Sequence, residues 1–114
     1  KRAMDRLEFF EDRKVAFTYI TGQDQEEVNA VPGDHEGIVD VGKNIDDVEV
    51  SIFLHEVKGK GYKISLRSLE YVDVASIAIM LGGGGHLRAA GAYGRGNVEQ
   101  IRDKVLKEVK KQLK

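Results

Sequence analysis

The chain has no cysteine among its 114 residues. Disulfides, thiolate zinc sites and cysteine nucleophiles are therefore excluded, and we expect a reducing compartment, the cytoplasm. Long apolar runs are missing as well: none approaches the ~20 residues that span a bilayer. Residues 1–13 are charged and lack the apolar centre of a signal peptide. We therefore predict no membrane contact.

The charge balance shows no excess of either sign, because 18 Lys and Arg stand against 19 Asp and Glu. Any contact with nucleic acid must then come from a local patch and not from the whole surface. The length, with 41% hydrophobic and 32% charged residues, is typical of one soluble globular domain. Because the chain begins with Lys1 instead of Met, we interpret it as a fragment of a longer protein.

The hydrophobic pattern predicts an α/β or α+β fold, with a small mixed sheet of about four to five strands flanked by helices. Strands are predicted at Lys14–Ile20, Val48–Val57, Tyr62–Arg67 and around Ala92. The second and third should form an antiparallel hairpin through Lys58–Gly61.

Capping residues locate the predicted helices. Asp34 caps a helix to Lys43, Asp73 caps Val74–Leu81, and Asn97 with Gln100 forms a capping box before the last helix. A short helix is predicted over Ala3–Phe10, a weak helical pattern over Gln23–Val31, and a turn over Leu87–Ala90.

Several apparent motifs are discarded. Gly37–Asn44 resembles a P-loop, but Asn44 replaces the magnesium-binding Ser or Thr and the segment lies in a predicted helix. His55-Glu56 lacks the second histidine of a zinc-protease helix and lies in a predicted strand. No GxGxxG sequence indicates a dinucleotide fold. We interpret the acidic residues as a cap and a solvated face and not as a metal site: Asp34, Glu36, Asp40, Asp46 and Asp47.

Gly82-Gly83-Gly84-Gly85-His86 is the most unusual stretch. Four glycines contribute no core packing and cost conformational entropy, so we interpret them as bare backbone that approaches a ligand. Their amides would point at one anion, with the imidazole of His86 beside them. The alternative is a flexible surface turn next to a structural histidine.

Arg67 and Ser68 end a predicted strand, where α/β folds place ligand groups. An arginine there can hold a phosphate through two charge-assisted hydrogen bonds, and a serine adds a hydroxyl. A surface ion pair with a cap-forming serine is the alternative. Arg88 and Arg95 are candidate peripheral basic groups. A nucleophile with its base is absent from this set, so the sequence predicts phosphate binding and not a complete reaction.

These motifs together resemble the DHH-associated C-terminal domain of the DHH phosphoesterases, a RecJ-related family. Within it the chain is most similar to bacterial oligoribonucleases, 3′-phosphoadenosine-5′-phosphate phosphatases and cyclic-dinucleotide phosphodiesterases. The resemblance spans residues 13–112 and rests on Glu36–Asp40, Ser65–Ser68, Val72–Val74 with Ile77-Ala78, Gly82–His86 and Ala89–Ala92.

The resemblance implies a substrate-binding domain over residues 13–114, with residues 1–12 as the end of a helix linking it to an N-terminal domain. That domain would hold Mn²⁺ through an Asp-His-His motif, which this chain lacks. The spare apolar surface that Ile79 and Met80 give to the predicted helix is expected to face it. The fragment alone would then be inactive, without a cofactor, metal ligand or catalytic residue of its own.

The implied substrate-binding set is Arg67, Ser68, Gly83, Gly84, Gly85 and His86. The implied substrates are short oligonucleotides, nucleoside bisphosphates or cyclic dinucleotides, and a second copy of the chain is a further candidate partner. A different class stays open: a non-catalytic nucleic-acid-binding module of an exonuclease or tRNA-editing protein.

Overall fold

A computed structural model describes residues 3–24 and 47–114. Within these ranges, six strands form one mixed sheet in the order β1-β2-β3-β4-β6-β5. Only the β2–β3 pair is parallel, and the other neighbouring pairs are antiparallel. The strands are β1 (Glu8–Phe10), β2 (Val15–Ile20), β3 (Val50–Val57), β4 (Gly61–Ser68), β5 (Gly84–His86) and β6 (Ala89–Gly94). The predicted fold class is confirmed, with more strands than expected.

The β3–β4 hairpin forms where the sequence predicts it. Its connection turns at Lys58–Lys60, and the Lys60 amide donates to the Val57 carbonyl at 2.9 Å. Gly59 and Gly61 adopt φ of +80° and +83°, which side chains disfavour. The hairpin places eight residue pairs in register along the centre of the sheet.

Within residues 47–114, two α-helices pack on one face of this sheet: α1 (Val74–Met80) and α2 (Val98–Lys110). The caps predicted for these two helices, Asp73 and Asn97, are confirmed. The Asp73 carboxylate accepts from the Ser76 amide at 3.1 Å, and Asn97 and Gln100 exchange hydrogen bonds of 2.8 and 2.9 Å.

Alternation along the strands separates two faces. The face under the helices carries the core, which includes Ile52, Leu66, Ala92, Ile77 and Val105. The opposite face carries the second set of alternating residues, and it is called the distal face below. On β4 the distal face takes Lys63, Ser65 and Arg67, and on β6 it takes Ala89, Gly91 and Tyr93.

Two short strands correct the sequence prediction. The expected helix over Ala3–Phe10 is a 3-10 turn at Ala3–Arg6 followed by strand β1, so Glu8–Phe10 are not helical. The apolar spacing suited a helix, but Phe9 and Phe10 pair with Ala16 and Val15 instead. Likewise Gly84–His86, expected as a loop, is strand β5.

Other predictions need a smaller correction or lie outside the described residues. The turn expected over Leu87–Ala90 is limited to Leu87-Arg88, because Ala89 already begins β6. The helix capped by Asp34, the Gly37–Asn44 segment and the Glu36–Asp40 motif are outside the described ranges, as is most of Gln23–Val31. No helix in the described part of the chain is long and apolar enough to cross a membrane.

Candidate phosphate-binding site

Arg67 and His86 lie in one transverse row on the distal face. Arg67 of β4 pairs with Ala89 of β6, and Ala89 pairs with His86 of β5. Directly paired residues of antiparallel strands project to the same face. Two strand spacings separate the backbones of Arg67 and His86, about 10 Å. The methyl group of Ala89 is the only side chain between them in this row.

The next row of the same face has almost no side chains on its outer two strands. Gly91 of β6 pairs with Gly84 of β5. Together with Ala89 these glycines form a nearly bare surface, called the glycine floor below. Its edge is open to solvent, because every residue of β5 is exposed. A ligand can therefore approach the backbone between an arginine and a histidine.

The four consecutive glycines have different roles. A Cβ on Gly83 would come within 2.7 Å of the Ala92 Cβ, and one on Gly85 would come within 2.6 Å of the Ala90 Cβ. Gly82 adopts φ of +88°. A Cβ on Gly84, in contrast, would meet no atom within 4 Å. Packing and backbone conformation thus explain three glycines, and only Gly84 has no structural requirement.

Two amides of the glycine run form hydrogen bonds with the end of α1. Gly82 and Gly83 donate to the carbonyls of Ile79 and Ala78 at 3.0 and 2.7 Å, which closes the C-terminus of α1. The expectation that successive amides of this run point at one anion is therefore wrong for these two. The cause is that a helix end leaves carbonyls unpaired, and the first two glycines satisfy them.

The Arg67 side chain is half-buried at the end of β4. One guanidinium nitrogen donates to the carbonyl of Leu66 at 3.1 Å. Burial lowers the pKa of Arg67 from its usual value, because desolvation disfavours the charged form. Arginine nevertheless stays charged in proteins. The guanidinium is thus a cation partly removed from water, where an anion interacts with it more strongly than at the surface.

Ser68 does not face the glycine floor. Its side chain lies under the sheet with 1% exposure, and its hydroxyl donates to the Val72 carbonyl at 2.6 Å. It is also 3.3 Å from the carbonyl of Leu87. The hydroxyl therefore connects β4 to the segment before α1 and to the β5–β6 turn. We assign Ser68 a structural role and leave it out of the ligand contacts proposed below.

The two peripheral arginines lie in different places. Arg88 directs one nitrogen inward, to the Val72 carbonyl at 2.6 Å and the Ser68 hydroxyl at 3.2 Å, and so fixes the β5–β6 turn. Arg95 is exposed at the opposite end of β6, where it borders a groove between the sheet and α2 with Lys104. Neither arginine shares the row of Arg67 and His86.

Glu49 is a residue that the sequence prediction missed. Its carboxylate is buried and accepts from the amides of Glu70, Tyr71 and Val72 at 2.9–3.2 Å. The Leu69 amide donates to the Glu49 carbonyl at 2.8 Å. This carboxylate holds the whole connection between β4 and α1. The segment that leads from Arg67 to the N-terminal end of α1 is thereby held in place.

Two further features of the distal face were not predicted. Ser51 pairs with Arg67 across β3 and β4 and is 2% exposed, and its hydroxyl has no hydrogen-bond partner among residues 3–24 and 47–114. Lys63 and Tyr93 pair with each other and lie on the same face as Arg67. The strand alternation of Lys63, Ser65 and Arg67 could have placed Lys63 on the same face as Arg67. Its pairing with Tyr93 could not have been predicted, because the register between β4 and β6 cannot be read from the sequence.

The described residues do not supply a metal site. No group of three or more His, Asp or Glu side chains within residues 3–24 and 47–114 is placed to hold an ion. We therefore assign no catalytic step to a metal held by this part of the chain.

Comparison with known proteins gives one matching family model, the DHHA1 domain, over residues 3–114. The chain is 37% identical over 81 residues to the bifunctional oligoribonuclease and PAP phosphatase NrnA of Thermus thermophilus. That match covers 70% of this chain and 25% of the relative. The chain thus spans about a quarter of the length of this curated relative.

Solved structures give the same fold. An exopolyphosphatase-related protein from Bacteroides fragilis superposes with a TM-score of 0.86 at 29% identity, covering 96% of this chain and 32% of that one. The pGpG-specific phosphodiesterase PggH from Vibrio cholerae superposes with a TM-score of 0.70 at 11% identity, covering 96% and 37%. At that low identity the second likeness shows the fold alone.

Proposed function

The chain belongs to the DHHA1 domain family, and on that premise we propose that it binds the phosphate of the substrate within a larger phosphoesterase. The observation that carries this proposal is the row of Arg67, Ala89 and His86 beside the glycine floor. It combines a cation, an imidazole and an open backbone surface, which are the groups that a phosphate requires.

In the proposed site, Arg67 donates two parallel hydrogen bonds to phosphate oxygens, and His86 donates a third from the other side. Gly84 lets the phosphate approach the backbone, since no side chain occupies that position. The partial burial of Arg67 has already removed part of its water, which lowers the desolvation cost when the anion binds. These residues bind and orient the substrate.

The substrate class that we propose is a short oligonucleotide, a nucleoside bisphosphate or a cyclic dinucleotide. Two observations support it. The curated relative is named an oligoribonuclease and PAP phosphatase, and the near-neutral charge of this chain suits a ligand with few phosphates. We further propose that the reaction takes place on a Mn²⁺-binding DHH domain elsewhere in the whole protein, with this domain facing it across a cleft.

Calorimetric titration of the 114-residue chain tests the phosphate site. The ligands are AMP and adenosine, which differ only in the phosphate. We expect AMP to bind and adenosine to bind at least roughly tenfold more weakly, a difference of about 1.4 kcal/mol. Arg67→Met and His86→Ala should each lose this preference, while the control Arg95→Met keeps it. Equal affinity for both ligands in the unmodified chain would overturn the proposal.

Activity provides a second test. We expect the chain alone to hydrolyse neither a diribonucleotide nor a nucleoside bisphosphate in Mn²⁺, because its described residues provide no metal site. In the whole protein, His86→Ala should lose activity while the thermal unfolding temperature stays within a few degrees. Sustained turnover by the purified 114-residue chain would contradict the proposal that this domain binds the substrate and that the reaction takes place on another domain.

A further inference from the structure

Tyr93 lies at the far end of the glycine floor from Arg67. It occupies the distal face of β6, two residues beyond Gly91 and four beyond Ala89. Its side chain is 51% exposed, although the residue lies inside a strand of the sheet. A large aromatic ring held open to solvent on a regular strand is not needed for the core. It offers a flat surface beside the floor.

Two lysines accompany this ring. The Lys60 and Lys63 ammonium groups lie 5.7 and 5.3 Å from its centroid. Lys63 also crosses the glycine floor, because a Cβ on Gly91 would lie 3.2 Å from the Lys63 Cε and 3.5 Å from its Nζ. Within the described ranges, neither lysine forms a salt bridge with a carboxylate. Their charge is thus available to an anionic ligand.

The separation of the two ends fits an extended ligand. Arg67 and Lys63 are four residues apart on β4, about 13 Å along the strand. One phosphate group cannot reach both. On its outer strands the floor between them carries only Ala89, Gly91 and Gly84. The Lys63 side chain lies over Gly91, so a chain of atoms can lie along the floor beside this lysine. Both ends project from the same face.

We propose that Tyr93, Lys63 and Lys60 form a second nucleotide subsite. A nucleobase stacks on the Tyr93 ring while Lys63 contacts the phosphate that joins this nucleotide to the one held by Arg67 and His86. Stacking of a base on an aromatic side chain tolerates any sequence, since every base has a π-face. The lysine contacts with the exposed ring are weak, so a base can replace an ammonium there. This inference rests on the proposed phosphate site.

Titration of the 114-residue chain with AMP and with the 5′-phosphorylated diadenylate pApA tests the subsite. We expect pApA to bind roughly tenfold more tightly than AMP. Tyr93→Ala should remove this advantage without changing the affinity for AMP, and Tyr93→Phe should keep it because the ring is retained. Lys63→Met should reduce the pApA affinity several-fold, whereas the control Lys104→Met, on α2, should not.

The outcomes separate this inference from the proposed function. If AMP binds and depends on Arg67, but Tyr93→Ala leaves the pApA affinity unchanged, the subsite is overturned and the phosphate site stands. If Tyr93→Ala weakens AMP and pApA equally, the subsite is likewise overturned. If neither ligand binds the unmodified chain, both proposals fail. Thermal unfolding of each variant verifies that the fold is intact, and Tyr93→Leu, which also lacks the aromatic ring, replaces Tyr93→Ala should that variant not fold.

Discussion

Gly83 packs directly on Ala92: a methyl group added to Gly83 would come within 2.7 Å of both the Cα and the Cβ of Ala92. The following residue, Gly84, has no atom within 4 Å of the corresponding position. Adjacent glycines of the same run therefore differ in what they do. The first permits β6 to approach the end of α1, and the second leaves the distal face open.

Substitution by alanine should have different effects at these two glycines: a loss of stability at Gly83 and a loss of AMP affinity at Gly84. Gly83→Ala forces β6 away and should lower the free energy of unfolding by about 1–3 kcal/mol, as overpacking does. Gly84→Ala should change it by less than about 0.5 kcal/mol. In AMP titrations, however, Gly84→Ala should weaken binding several-fold, because its methyl group occupies the floor. Urea unfolding and calorimetry measure both effects, and equal stability of the two variants would refute the assignment.

Glu49 should be important for stability, although it is remote in sequence from the segment that it holds. Glu49→Gln replaces one acceptor oxygen by an NH₂ group that faces backbone donors, and we expect a loss of about 1–3 kcal/mol in urea unfolding. Glu70→Gln, a substitution of an exposed carboxylate in the same loop, is the matched control and should change stability by less than about 0.5 kcal/mol. A Glu49→Gln chain as stable as the control would exclude this stabilising role of the Glu49 carboxylate.

The Arg6–Asp24 pair predicts how stability depends on pH. Two guanidinium nitrogens of Arg6 donate to the Asp24 carboxylate, and the Thr21 amide donates to it at 2.8 Å. The Arg6 hydrogen bond holds the pKa of Asp24 well below its usual range, although burial opposes this. The carboxylate of the unfolded chain titrates near a pKa of about 4. The stabilisation is therefore complete above that pH and is lost as the pH falls toward the lower pKa of the folded chain.

Asp24→Asn measures this contribution. At neutral pH the substitution should cost about 3 kcal/mol, because it leaves the Arg6 cation without its carboxylate. The midpoint of urea unfolding should be measured between pH 5 and pH 2. Over this range the unmodified chain should lose more stability than Asp24→Asn. Parallel curves for the two chains would show that the pair does not control the acid response.

The salt dependence of the binding constant distinguishes a short ligand from a long one. If Arg67, His86 and Lys63 neutralise up to three phosphate charges, log K should fall with log salt with a slope no steeper than about −2. A nucleic-acid-binding module that follows a longer strand neutralises more phosphates and gives a slope of about −4 or steeper. Titrations of pApA and of a twelve-residue oligoadenylate at several salt concentrations separate these cases. A steep slope with the longer oligonucleotide would favour the binding module.

The sequence predicted those parts of the fold in which local chemistry decides. Asp73 and Asn97 identify their helices because a cap acts within one turn, and the glycines after Val57 identify the hairpin. The short strands β1 and β5 were missed, since three residues show no period and are stabilised by pairing alone. The sequence predicts that the glycine run ends α1. It does not predict that Gly84 and Gly85 belong to a strand, because that strand is defined by its pairing with β6.

For the same reason, only part of the candidate site follows from the sequence. Arg67 and His86 were selected by residue type, and the sheet places them in one row. Ser68 was selected in the same way but alternates to the buried face, because it is one residue from Arg67 on the same strand. The Glu49 contacts with residues 70–72 and the position of Tyr93 beside Lys63 depend on pairing between distant segments, which no local pattern encodes.

The single parallel pair of the sheet affects the order in which the domain folds. Val15 of β2 pairs with Val50, 35 positions later, whereas β3 and β4 are joined by a tight turn. Closing the longer loop costs more entropy, so the hairpin forms early and the two N-terminal strands dock late. We expect native-state hydrogen exchange to show the strongest amide protection in β3 and β4 and earlier opening of β1. The strand that carries Arg67 would thus be the most persistent part of the molecule, and a binding surface built on it would survive fluctuations that release the N-terminal edge.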